Sequence, residues 1–161
     1  MGRVTFGDNC IVHPKCQIIA EAGDITIGDY CIIEEKCKII NRLKKDEQGK
    51  PIRKEMRIGM YNFFEVGATV DSTDVGDMNE FQFKCAVNDS KVESYCQINA
   101  CVTVPKNTHL ANYRVVYDDG GKMRVNEEFN EDVKKMSIKE LSQFLSQQLP
   151  KWNKPRDTPQ S

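Results

Sequence analysis

A repeat of six residues between Val75 and Leu110 constrains the fold of this chain more than any other feature of its sequence. The stretch reads VGDMNE-FQFKCA-VNDSK-VESYCQ-INACVT-VPKNTH-L, and an aliphatic residue or Phe opens each block, one of which is a residue short. A hexad period is typical of β-helices, in which each block forms one strand and a bend and three blocks make a triangular coil. We therefore expect the openers to point into a column whose coils stack about 4.8 Å apart.

The same period runs through the first half of the chain. The openers there are Phe6, Val12, Ile18, Ile27, Ile33, Ile39, Ile58, Phe64 and Val70. The frame predicts an all-β protein: a left-handed parallel β-helix of hexapeptide repeats, about five coils long, over residues 1–110. An open coil at the end of such a column exposes strand edges that invite pairing with another chain. We expect no element before Val4 to cover that end, which makes Val4, Phe6 and Val12 the first candidates for a subunit contact.

The frame breaks at Arg42 and resumes at Ile58, which predicts a loop extending from one corner of the column. Seven of the residues at 42–57 are basic and three are acidic. One interpretation is a solvated, mobile excursion, because charge runs usually are. The other is a partner-binding arm, since repeat proteins carry insertions on their binding faces. The basic candidates for partner contact are Arg42, Lys44, Lys45, Arg53 and Lys54.

After Leu110 the pattern changes. Residues 113–117 and 122–125 flank an Asp-Asp-Gly-Gly turn and predict a β-hairpin. Ser137 and Glu140 resemble a capping box that starts a helix, apolar residues follow at helical spacing, and Pro150 is expected to end it. We expect residues 111–150 to form this hairpin and helix, the helix lying along one face of the column or closing its last coil. Docking of the apolar stripe on another protein is the alternative.

Residues 151–161 are polar and predict a disordered tail, in which Thr158 precedes Pro159 as a candidate phosphorylation site.

Seven cysteines raise the question of disulfides or a metal. Six of them lie four residues after an opener, at a tight corner where a small side chain fits, and these are Cys10, Cys16, Cys31, Cys37, Cys85 and Cys96. Cys101 is one step out of phase. No C-x-x-C pair or Cys/His cluster with zinc spacing is present. The pattern therefore predicts structural thiols in a reducing compartment and no bound metal or cofactor.

The remaining composition and motifs argue against membrane insertion, nucleic-acid binding and catalysis. The formal net charge is −1, and no apolar stretch is long enough to span a bilayer or to form a signal peptide. Carbonic-anhydrase-like β-helix enzymes hold zinc with three histidines, whereas this chain has only His13 and His109. Acyl- and nucleotidyl-sugar transferases with this fold use a His as general base. His13 precedes Pro14 and is more simply a turn residue, and no sequence motif pairs His109 with a carboxylate that would orient it. We expect no catalytic residues. A homotrimeric β-helix enzyme of either type remains the alternative.

Tyrosines at outward positions are further candidates for a lateral protein contact, because Tyr is enriched at interfaces. They are Tyr30, Tyr61 and Tyr95. An equally simple interpretation is that they are plain surface residues.

The segment 4–41 resembles the smaller β-helix subunits of the dynactin pointed-end complex. The resemblance is carried by His13-Pro14-Lys15, by IIAEAG at 18–23, by Glu34-Glu35 and by NFFEVG at 62–67, and it continues more loosely to the end of the predicted helix. It implies a non-catalytic, cytoplasmic, cytoskeleton-associated scaffold that supports dynein-driven transport on microtubules. Its implied partners are dynactin subunits 4 and 5 and the actin-related protein of the pointed end, with adaptors or cargo engaged indirectly. That family usually has about one more coil before the equivalent of Val4, so any contact made by that coil is in doubt here.

Overall fold

The computed structural model describes residues 1–152. Its elements in chain order are β1 (Val4–Phe6), β2 (Ile11–Val12), β3 (Gln17–Ala20), β4 (Ile25–Ile27), β5 (Ile32–Ile33), β6 (Lys38–Asn41), β7 (Lys44–Lys45), β8 (Pro51–Ile52), β9 (Met56–Ile58), β10 (Phe63–Phe64), β11 (Thr69–Asp71), β12 (Asp74–Val75), β13 (Glu80–Phe81), β14 (Ala86–Asn88), β15 (Lys91–Val92), β16 (Gln97–Ile98), β17 (Thr103–Val104), β18 (His109–Leu110), β19 (Arg114–Val116), β20 (Met123–Val125) and α1 (Glu131–Trp152).

Three sheets form the sides of a triangular column, and each coil contributes one strand to each side. The first sheet has the order β1-β4-β9-β12-β15-β18, the second β2-β5-β10-β13-β16-β19-β20 and the third β3-β6-β11-β14-β17. Successive coils pair in parallel with openers in register, so that Phe6 lies opposite Ile27 and Ile27 opposite Ile58. The predicted left-handed parallel β-helix of about five coils is confirmed.

The interior of the column is filled by the hexad openers. Ile33, Phe81 and Ile98 have no solvent exposure, which confirms that every sixth side chain turns inward. Phe64 and Phe81 stack between neighbouring coils with ring centroids 4.6 Å apart. Complete burial of such a side chain contributes about 1.5–3 kcal/mol. The repeated opener is therefore both the sequence signal and the main source of cohesion between coils.

Buried amides continue the hydrogen bonding of the coils through one corner. Asn79 donates its backbone N–H to the Asn62 side-chain oxygen at 2.9 Å, and Cys96 donates its own to the Asn79 side chain at 2.7 Å. Both Asn side chains also donate to carbonyl groups of the next coil. Because a buried polar group without a partner is costly, this ladder keeps the polar corner compatible with an apolar interior.

The C-terminal hairpin follows the prediction, whereas the helix boundaries do not. Strands β19 and β20 pair antiparallel, and β19 also pairs in parallel with β16 as the last strand of its sheet. The helix begins at Glu131, six residues before Ser137, because the Asn130 side chain accepts the backbone N–H of Val133 at 3.1 Å and serves as the N-cap. The expected capping box is thus wrong. Pro150 does not end the helix either, which runs to Trp152. No described helix is long and apolar enough to cross a membrane.

Candidate interaction surfaces

The N-terminal end of the column is the point where its interior reaches the surface. Strands β1, β2 and β3 are the terminal strands of the three sheets, and each pairs on one side only within residues 1–152. Phe6 and Val12 are each 40% exposed, although the openers directly above them, Ile27 and Ile33, are fully buried. Val4 is partly buried against the core. This end therefore combines open strand edges with apolar side chains, which are the two features that favour stacking of another chain.

The insertion is a short hairpin between β6 and β9, and most of its residues are exposed, which fits a solvated excursion as well as a partner-binding arm. Strands β7 and β8 pair antiparallel, with Lys44 opposite Ile52. The Asp46 carboxylate closes the turn by accepting the backbone N–H groups of Gln48 and Lys50 at 2.9 and 2.8 Å. At the base, the buried Asn41 side chain donates to the carbonyl of Gly23 in the preceding coil at 3.1 Å and to that of Lys54 in the insertion at 2.6 Å.

Aspartates of the column hold three of the five basic candidates in the hairpin. The Arg42 guanidinium pairs with Asp71 at 2.8 Å and Lys54 pairs with Asp74 at 2.8 Å. Lys44 pairs with Asp89 of a later coil.

The other two basic candidates differ in how they are held. The Arg53 guanidinium donates to the backbone carbonyl of Glu21 at 3.3 Å, which leaves its charge without a carboxylate within the described residues. Lys45 is exposed and forms no ion pair within them. Lys45 and Arg53 are therefore the cations of this hairpin best placed to meet an acidic partner.

The tyrosines predicted as surface or lateral-contact residues form a ladder under α1, so that prediction is wrong. Tyr30 and Tyr61 occupy equivalent left-handed corner positions, with φ of 55° and 56°, and their rings stack 5.0 Å apart and 2° from parallel. Tyr95 and Tyr113 stack in the same way at 4.7 Å. Phe129, just before the helix, covers this upper pair. The sequence missed this arrangement because a repeat gives the position of a side chain but not what later packs over it.

Helix α1 is attached to the column along its length by one face. Ile138 is buried in a cluster with Ile11, Ile32 and Tyr61. Near its start, Lys134 pairs with Glu80 at 2.6 Å, and both side chains are largely buried. Burial raises the pKa of Glu80, but the charge and hydrogen bond of Lys134 and a hydrogen bond from Gln82 together lower it by more, so the pKa of the carboxyl lies below its ordinary value.

Toward the other end of the helix, the buried Ser142 hydroxyl donates to the carbonyl of Asn9 at 2.8 Å. The helix therefore lies along a face of the column, which was one of the two expected placements. It extends from the coil that contains Glu80 to the first coil, which contains Asn9.

Both histidines have a carboxylate partner that the sequence did not reveal. His13 is buried and its Nδ1 lies 3.0 Å from Glu35, whereas the exposed His109 has its Nε2 2.7 Å from Glu93. The hydrogen bond from the histidine lowers the pKa of each of these carboxyls. The expectation that His109 lacks an orienting carboxylate is thus wrong. The two pairs lie on the first and last coils and do not share a site, and residues 1–152 contain no cluster of three or more metal-ligating side chains.

The cysteines occupy three different environments. Cys31, Cys37, Cys85 and Cys96 are buried at corners of the column, whereas Cys10 and Cys16 of the first coil are half-buried. Cys101 is exposed, with φ of 62° at the left-handed position of its turn. The sequence pattern identified all six corner cysteines, but it did not show that the open end leaves two of them partly accessible. Thr158, the candidate phosphorylation site, lies outside the described residues.

The three-sided column with one strand per side in every coil defines the class of this chain: it is a left-handed β-helix of the hexapeptide-repeat type. A solved structure with the same fold is that of a hexapeptide transferase family protein from Anaplasma phagocytophilum. It superimposes with a TM-score of 0.75 at 11% sequence identity, over 90% of this chain and 81% of that one. At such low identity the likeness shows the fold alone.

Sequence similarity gives a narrower assignment. No protein-family model matches the chain. Dynactin subunit 6 of Nematostella vectensis is 34% identical over 136 residues, which cover 79% of this chain and 71% of that protein. The proteins of the same name from Danio rerio and Xenopus tropicalis are 39% and 35% identical over 66% of this chain, which spans 60% and 58% of their length. The chain belongs to the dynactin subunit 6 family, which confirms the resemblance drawn from its motifs.

Proposed function

We propose that this chain is a non-catalytic structural subunit of dynactin. The similarity to three animal proteins named dynactin subunit 6 carries the proposal. In this proposal the chain acts in the cytoplasm in association with the cytoskeleton. There it would contribute, as part of the pointed-end complex, to dynein-driven transport and to the attachment of adaptors or cargo. Its partners in that complex would be dynactin subunits 4 and 5 and the actin-related protein of the pointed end.

Within this proposal, the N-terminal end of the column binds a neighbouring subunit. The half-exposed openers Phe6 and Val12 and the partly buried Val4 support it, because they form an apolar surface framed by unpaired strand edges. A neighbour that adds backbone hydrogen bonds to these edges would complete the coil and remove the apolar side chains from water. The basic hairpin is the second contact, made by Lys45 and Arg53 and positioned by the ion pairs of Arg42, Lys44 and Lys54.

Affinity purification of the tagged full chain, with quantification of the co-purifying proteins, tests both contacts. We expect the wild-type chain to recover dynactin subunits. Phe6→Asp and Val12→Asp should lower that recovery at least tenfold, because a carboxylate cannot be buried unpaired at the interface. Phe83→Asp is the matched control: Phe83 is 42% exposed on another part of the column, and its replacement should leave recovery unchanged.

For the hairpin, Lys45→Glu with Arg53→Glu should lower recovery, whereas Lys38→Glu, an exposed lysine on a side of the column, should not. Each variant is first compared with the wild type by thermal unfolding. Recovery of no dynactin subunit, or a stable homotrimer by mass measurement in solution, would contradict the proposal and favour the β-helix enzyme. Equal losses for Phe6→Asp and Phe83→Asp would contradict the N-terminal contact.

A further inference from the structure

The outward face of α1 carries a second apolar surface that nothing within residues 1–152 covers. The inner face of the helix is occupied, because Ile138 and Ser142 are buried against the column. On the opposite face Val133, Met136 and Phe144 are 53%, 56% and 58% exposed. A helix attached by one apolar stripe ordinarily presents polar residues on the other side. Three large apolar side chains there therefore need an explanation.

The three exposed side chains fall on a single line along the helix. Met136 follows Val133 by three residues, and Phe144 follows Met136 by eight, which is two steps of four. Residues three and four apart lie on the same helix face, so the side chains form a stripe about 16 Å long at a rise of 1.5 Å per residue. The position that completes this spacing, between Met136 and Phe144, is Glu140. It is exposed and forms no ion pair within the described part of the chain.

A lipid surface does not fit this stripe. Helices that lie on membranes carry lysine or arginine beside their apolar face, where these residues meet anionic lipids. Here Lys134 and Lys135 are each held in an ion pair, and the Lys139 ammonium lies 5.6 Å from the centre of the Tyr30 ring, on the side of the column. The remaining lysine of α1, Lys151, is exposed in the last turn, seven residues beyond Phe144 and outside the stripe. The charge at the centre of the stripe is the carboxylate of Glu140, which anionic headgroups would repel.

A second copy of this chain does not fit either. Two antiparallel copies related by a two-fold axis at the centre of the stripe would place Met136 against Phe144 of the other copy. The same axis would place Glu140 against Glu140. Two like charges brought together in a desolvated seam disfavour the contact. The charge complementary to this surface is positive, and it must come from a different chain.

We propose that the outer face of α1, formed by Val133, Met136, Glu140 and Phe144, binds an amphipathic helix of another protein. The apolar residues of that helix pack along the stripe, and a lysine or arginine among them pairs with Glu140. The steps of three, four and four residues average about 3.7, close to the 3.6 residues per turn of a straight helix, so the stripe stays on one side of α1 and can line a partner helix along its length. This surface shares no residue with the N-terminal contact or the basic hairpin, so substitutions at Glu140 or Met136 can be compared directly with those at Phe6 and Val12.

Photo-crosslinking in the full chain tests the proposal. A photoreactive phenylalanine analogue is placed at position 136 or 144, and at position 26 on the first sheet as an exposed control. In cells that express the chain natively, we expect positions 136 and 144 to crosslink to one segment of another protein. That segment should have apolar residues at intervals of three and four and a basic residue between them. Position 26 should not yield this product.

Charge reversal then distinguishes docking from accidental proximity. Glu140→Lys should lower the yield of the crosslinked product at least tenfold, and changing the partner's basic residue to Glu should restore it. Met136→Ser should lower the yield of the product formed at position 144. Products that consist only of lipid or of a second copy, a yield at position 136 or 144 no higher than at position 26, or no effect of Glu140→Lys would each overturn the proposal.

Discussion

The cysteines show how one residue type takes different chemical properties from its place in the repeat. Burial raises the pKa of Cys37 and Cys85 to about 12 and that of Cys96 to about 11. Cys10, in the open first coil, shares a hydrogen bond with the thiol of Cys31 that lowers its pKa to about 7. Only the thiolate reacts readily. Burial and a high pKa therefore both slow the reaction of the inner cysteines, whereas partial exposure and a low pKa both speed that of Cys10.

We therefore predict that a water-soluble thiol reagent at pH 8 modifies Cys101 and Cys10 first in the native protein. Cys31, Cys37, Cys85 and Cys96 should react only after denaturation, because they are buried and burial contributes to raising the pKa of each. Mass spectrometry of the labelled peptides against time measures this order. Cys101→Ser serves as the control and should remove one fast site. Rapid labelling of all seven native thiols would contradict the prediction.

The Glu80–Lys134 pair should give the stability of the protein a specific dependence on pH. The pKa of Glu80 is lower in the folded chain than its ordinary value of 4.5, so the pair stabilises the fold above that pH. This contribution is lost as pH falls through the folded pKa. Glu80→Gln should lower the free energy of unfolding by about 1–2 kcal/mol at pH 7. The difference in the free energy of unfolding between wild type and variant should shrink as the pH falls below 4.5, the ordinary pKa of a glutamate.

Urea denaturation at a series of pH values provides the measurement. Glu55→Gln is the control, because its pair with Arg57 at 3.6 Å is exposed and should contribute less than about 0.5 kcal/mol. A loss from Glu80→Gln that stays constant down to the acid transition would show that the pair does not supply it.

Among the elements, α1 joins coils that otherwise contact only their immediate neighbours. Its inner face reaches from Glu80 to Asn9, and Ile138 anchors the middle of it. Ile138→Ala should lower the free energy of unfolding by about 2–4 kcal/mol, since it leaves a cavity under the helix. Phe144→Ala on the exposed face is the matched control and should change it by less than about 0.5 kcal/mol. Denaturant unfolding monitored by circular dichroism compares the two, and equal losses would mean that the helix is not attached through Ile138.

The parts of this structure that the sequence predicts are those governed by local repetition. The column and its openers follow from spacing alone, because each position faces the same neighbours in every coil, and the C-terminal hairpin follows from its Gly-rich turn. The capping-box motif predicts that α1 starts at Ser137, whereas the side chain of Asn130 is the actual cap. The cover that α1 places over the tyrosines and the Glu80–Lys134 pair join residues far apart in sequence, and no periodicity encodes them. The carboxylate partners of both histidines lie one coil away, where the repeat gives the position of a residue but not its pairing.

For the whole molecule, the stack of coils implies that stability varies along its axis. Each coil in a repeat protein is stabilised mainly by its neighbours, and the first coil has a neighbour on one side only within the described residues. We predict that amide hydrogen exchange is fastest for peptides covering 4–20 and slowest for those covering 63–88, where openers such as Phe64 and Phe81 are fully buried. Mass spectrometry of exchanged peptides gives the order. Uniform protection along the axis would contradict it.

The hairpin between β6 and β9 leaves the register of the column unchanged, since Ile25 and Ile27 of β4 pair directly with Met56 and Ile58 of β9. The register of the coils therefore does not depend on how many residues lie between β6 and β9. Closing a longer loop costs little, about 0.6 kcal/mol for each doubling of its length. We expect chains descended from the same ancestor to differ in length mostly at this corner, and alignments of them to place their gaps here while the flanking hexads stay in step.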